Sequence, residues 1–91
     1  MPRLPVLSGR ELVKLLKKIG FVPVRRRGSH IVLSKSSPEG RKGLVVPDHK
    51  EIDKRTLVEI IRQAGLTRRD FLELFGINPL EREKEVKRKK R

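Results

Sequence analysis

The chain of 91 residues is expected to fold as an α+β domain in the order α-β-β-β-α, with a three-stranded antiparallel sheet, both main helices on one face and a short helix at the end. Three observations predict this. Leu12, Leu15, Leu16 and Ile19 fall at i, i+3, i+4 and i+7, the spacing of one apolar stripe along a helix. Leu57, Ile60, Ile61 and Ala64 repeat that spacing near the other end. Between them lie three short β-prone runs, and the connections are too short for crossover helices, so neighbouring strands must run antiparallel.

Ser8-Gly9-Arg10-Glu11 has the spacing of a capping box, in which a hydroxyl and a carboxylate each satisfy a free backbone N–H at a helix start. It predicts a first helix over Gly9–Ile19, left at Gly20. Phe21-Val22-Pro23-Val24 followed by Arg25-Arg26-Arg27 reads as a strand. Pro23 cannot donate to a ladder, which places that strand at an edge. Gly28 supplies a tight reversal, and Ser29–Leu33 is apolar on both faces, as a central strand would be. Ser34–Lys42, with Ser36-Ser37-Pro38-Glu39-Gly40 inside it, reads as a connection, and Gly43–Pro47 as the third strand. Asp53 caps the second helix, which Gly65 ends. Thr67-Arg68-Arg69-Asp70 offers another capping box, with Leu66 placed to pack on Phe71, for a third helix closed by Gly76.

Residues 1–79 are expected to form one domain and residues 80–91 a basic, flexible tail with almost no apolar stripe. A domain this small has little room for a deep cofactor cavity, and no cofactor is expected. Lysine and arginine number 24 against 11 acidic residues, a net charge of +13. The tail holds +4 of that and residues 1–79 keep +9, so the globular part is itself basic and suits a polyanion. No apolar run has the length of a membrane span or a signal segment, and cysteine is absent. The expectation is a soluble, cytoplasmic protein without membrane contact.

The chemistry concentrates at Arg25-Arg26-Arg27-Gly28-Ser29-His30. Metal-free RNA cleavage requires a base for the 2′-hydroxyl proton, positive charge on the non-bridging oxygens and an acid for the leaving 5′-oxygen. His30 suits either proton-transfer role. Strand alternation puts Arg25 and Arg27 on one face and Arg26 on the other, so the first two are the candidate phosphate ligands. Gly28 permits the turn and the Ser29 hydroxyl can donate to phosphate. Which face His30 shares is not decided by alternation. His49, the other histidine, reads as a loop residue with local hydrogen bonds. With two histidines, no cysteine and no paired carboxylates, neither a zinc site nor a two-magnesium site has its ligands, and no metal is expected. No phosphate loop or nucleophile elbow occurs. The alternative from another class is a non-catalytic RNA- or DNA-binding module with a silent histidine.

Residues 8–75 resemble the HicA family of small toxins, mRNA interferases of type II toxin–antitoxin pairs. The likeness runs from Ser8-Gly9-Arg10-Glu11-Leu12-Val13-Lys14-Leu15-Leu16 through Gly20-Phe21 and Arg27-Gly28-Ser29-His30 to Val46-Pro47-Asp48-His49, and closes on Leu57–Leu66. It implies a double-stranded-RNA-binding-domain-like fold, His30 in the position of the family's catalytic histidine, Gly28 and Ser29 as parts of the same motif, mRNA as substrate and a HicB-type antitoxin covering the site. Ile31 stands where many relatives carry a second histidine, and the basic tail after Pro79 is not part of the pattern.

Overall fold

A computed structural model describes residues 4–76. The expected tail, residues 80–91, lies outside them. The elements are α1 (Gly9–Lys17), β1 (Val22–Arg27), β2 (His30–Ser37), β3 (Gly40–Pro47), α2 (Lys54–Gln63) and α3 (Arg68–Phe75). The strands form one antiparallel sheet in the order β1-β2-β3, so the expected α+β architecture is the one observed.

Each helix begins as its cap residues dictate. The Ser8 hydroxyl accepts from the Glu11 N–H at 3.1 Å while the Glu11 carboxylate accepts from the Ser8 N–H at 2.8 Å. Thr67 and Asp70 repeat the reciprocal pair at 3.0 Å each, and the Asp53 carboxylate accepts from the Thr56 N–H at 3.2 Å. The two long helices also end alike. Phe21 N–H donates to the Leu16 carbonyl and Leu66 N–H to the Ile61 carbonyl, both at 3.1 Å. That six-to-one bond folds an apolar residue back onto its own helix.

The core lies between the helices and the inner face of the sheet. Leu12 and Leu16 of α1, Leu33 of β2, Leu44 and Val46 of β3, Leu57 of α2 and Phe71 of α3 are all buried, with Phe21 beside them. Burying each such side chain contributes about 1.5–3 kcal/mol. Leu66 packs against the same cluster as Phe71, as the staple spacing requires. By contrast Val22, Val24 and Val45 are roughly half exposed. Both main helices therefore cover one face and leave the other open.

Two boundaries differ from expectation. α1 stops at Lys17, with Lys18 as its cap, two residues before Ile19. More consequentially, Ser34–Lys42 is not a loop. β2 runs on to Ser37, β3 starts at Gly40, and only Pro38-Glu39 turn the chain. Lys35 pairs with Lys42 and Ser36 with Arg41. Those residues are polar because the ribbon leaves the core, and backbone pairing sustains it there.

Candidate functional site

The site is built on the turn between β1 and β2. Arg27 and His30 are directly opposite in the register, leaving Gly28 and Ser29 as a two-residue hairpin loop. Gly28 has φ +56 and no non-glycine residue among those described has positive φ, so Ser29 completes the II′ pattern that matches strand twist. A side chain at position 28 would meet nothing within 4 Å, so the backbone conformation alone selects glycine there.

The register resolves which face His30 shares. Ile31 and Leu33 of β2 are buried against the helices, so His30, Val32 and Ser34 lie on the open face, and the His30 side chain is exposed. Arg27 pairs with His30 and Arg25 with Val32, whereas Arg26 pairs with Ile31. Directly opposed residues hold their Cβ atoms about 5 Å apart. Arg25, Arg27 and His30 are thus on one surface, and Arg26 is not.

A β-bulge between Pro23 and Arg25 produces this arrangement. Before it, Val22 pairs with Ser34 and Pro23 with Leu33; after it, Arg25 pairs with Val32. Val24 is the extra residue. Were Val24 paired in the first register, with no bulge, Arg25 would face Ile31, and Arg25 and Arg27 would lie on the helix face, since one residue of slip exchanges the faces.

Arg26 has a structural partner that the sequence alone did not suggest. Its guanidinium bonds the Asp48 carboxylate, and Arg10 Nε of α1 stands 3.5 Å from the other oxygen. The Asp48 backbone N–H donates to the Ser29 carbonyl at 2.6 Å. Asp48, only 12% exposed in its side chain, therefore ties the β1–β2 turn, β1 and the start of α1 together. The Arg26 hydrogen bond and the Arg26 and Arg10 charges, outweighing partial desolvation, hold its carboxyl below the usual aspartate range. The available signal was that Asp48 is the lone carboxylate between Glu39 and Glu51, in a basic stretch.

His49 is exposed in the loop after β3, and its backbone carbonyl accepts from the distant Gly9 N–H at 2.9 Å, joining that loop to the start of α1. Gly9 is a close approach. A Cβ there would fall 2.1 Å from the Pro47 carbonyl oxygen. No cluster of three or more His, Cys, Asp or Glu side chains occurs among the described residues. No helix there is long and apolar enough to cross a membrane.

Fold and site together define a small basic α+β protein that presents a histidine and two arginines on the uncovered face of its sheet. Residues 9–66 match the family model described as the HicA toxin of bacterial toxin–antitoxin pairs, and the chain belongs to that family. It is the toxin of such a pair, and an antitoxin is its partner. No curated protein matches the chain.

Proposed function

We propose that this toxin is a metal-independent endoribonuclease that cleaves mRNA, with His30 transferring the proton and Arg25 and Arg27 holding the phosphate. The observation that carries the reading is the register. It sets Arg27 directly across from His30, and Arg25 two pairs further, on an exposed surface. A phosphodiester on that surface meets fixed positive charge within reach of an imidazole. In the proposed step His30 takes the proton of a ribose 2′-hydroxyl, the 2′-oxygen bonds to phosphorus, and the 5′-oxygen leaves with a proton from an acid. The products are a 2′,3′-cyclic phosphate and a 5′-hydroxyl. Gly28 sets the turn, and Ser29, whose carbonyl Asp48 occupies, keeps its hydroxyl for the phosphate.

Metal independence rests on the chemistry of the donors. Guanidinium groups beside the histidine repel a divalent cation, and the Asp48 carboxylate is already engaged by Arg26 and Arg10. The partner is read as a HicB-type antitoxin that covers this surface, and the compartment as the cytoplasm, where mRNA is met.

The test is incubation of purified chain with RNA, with and without EDTA, beside His30→Ala and beside DNA of the same sequence. Cleavage should fall about 10²- to 10⁴-fold in the variant while binding changes far less. DNA should stay intact and EDTA should make no difference. Equal cleavage by the variant removes His30 from the mechanism. Salt-sensitive binding without product leaves a binding module instead.

A further inference from the structure

The open face extends well beyond the histidine. At its far end Arg41 of β3 pairs with Ser36, which puts it on the same face as Ser34 and His30. Arg41 Nη1 donates to the Ser34 hydroxyl at 3.1 Å, which aims the exposed guanidinium across β2. Between the two ends lie Val32 and Val45, a directly opposed pair of which Val45 is 48% exposed. The three strands contain no acidic residue at all. One surface therefore carries arginines at both ends, an apolar floor between them and no carboxylate on its strands to repel an anion.

We propose that Arg41 is a second phosphate-binding subsite, so that an RNA strand lies along β2 with one phosphate beside His30 and another on Arg41, its sugars and bases over the valines. This rests on the nuclease reading and extends it from one phosphate to a track. From His30 to Ser34 is four residues, about 13 Å at about 3.3 Å per residue, so no single phosphate touches both ends. A stacked strand advances about 3.4 Å per nucleotide, which puts the two contacted phosphates about four nucleotides apart. A polyanion fits this face better than a protein does. Protein interfaces are anchored by tryptophan and tyrosine, and here the floor is valine in a chain that has neither aromatic residue. Unlike Arg26 and Arg62, which are engaged by Asp48 and Glu59, Arg41 has a neutral hydroxyl as its partner and keeps its charge for a ligand.

The experiment uses the full chain carrying His30→Ala, so that RNA is bound without being cut, and compares a trinucleotide with an RNA of about twelve nucleotides. Arg41→Gln should weaken the longer RNA by about five- to tenfold and leave the trinucleotide unchanged. The slope of log K against log salt on the longer RNA should fall by about 0.7, the value of one phosphate contact on a single strand. Val45→Glu, which puts a carboxylate midway along the exposed floor, should weaken the longer RNA in the same sense. Equal loss on both lengths, or no loss on the longer one, overturns the subsite, and the latter leaves the face to the antitoxin partner. Cleavage by chains with His30 intact is scored separately. If no cleavage occurs, a length-dependent loss still keeps Arg41 as an RNA contact while the nuclease reading falls; cleavage without length dependence removes Arg41 alone.

Discussion

Two residues that do no chemistry decide how well His30 is held. At Gly28 the φ of +56 is the cost any side chain would meet, since the space around it is empty. Gly28→Ala should lose about 1–2 kcal/mol and Gly28→Asn distinctly less, because asparagine tolerates the left-handed region; urea unfolding of the three proteins side by side measures it. Asp48 works through contacts with three segments. Asp48→Asn keeps the backbone bond to Ser29 but weakens the hold on Arg26 and Arg10. It should lower kcat more than it raises KM, as expected for a turn that still binds RNA but no longer fixes the imidazole relative to the phosphate. Comparable loss in both constants would assign Asp48 to folding alone.

Within the elements, the bulge of β1 and the first turn of α1 respond to small changes in opposite ways. Val24 is more than half exposed, so Val24→Ser should change stability by no more than about 0.5 kcal/mol. Deleting Val24 is a different event. Pro23 faces Leu33 and Arg25 faces Val32, neighbours on β2, so without Val24 the ladder closes in one continuous register and Arg25 and Arg27 keep the side they share with His30. The deletion should straighten β1 and change stability by no more than about 1 kcal/mol, read from the shift in urea midpoint. At Gly9 a methyl group would press on the Pro47 carbonyl, so Gly9→Ala should cost about 1–3 kcal/mol and loosen the loop that carries Asp48. The helices were legible because caps and apolar stripes are local signals, and Ser8–Glu11 and Thr67–Asp70 form the bonds their spacing announces. The ribbon of residues 34–42 was not, since serine and lysine pairs in solvent carry no alternation to read. Nor was the sharing of one face by His30 and the two arginines, which depends on a bulge that leaves no mark in composition. That Arg25 and Arg27 share a side was legible; that they share it with His30 needed the register.

For the molecule as a whole, charge makes stability depend on pH. Asp48 and Asp70 are held below the ordinary aspartate range in the fold, Asp48 by Arg26 and Asp70 by the Thr67 backbone N–H. A lowered folded-state value stabilises at pH above the unfolded value of about 3.9. That contribution is lost as pH falls through the folded value, so the unfolding midpoint should drop on acidification below about pH 4, and less steeply in Asp48→Asn. A melting series from about pH 2 to 6 checks the sign. The two outer strands of the sheet have a further burden. β1 and β3 each leave one row of backbone donors and acceptors unpaired by the sheet, and such rows invite other chains to stack on. β1 counters this with a proline, a kink and three guanidinium groups. By that argument the arginines proposed to grip a substrate also discourage free copies of the toxin from stacking edge to edge. Disarming the protein by stripping them would trade toxicity for aggregation, and replacing the imidazole alone is the safer route to an inert, soluble toxin.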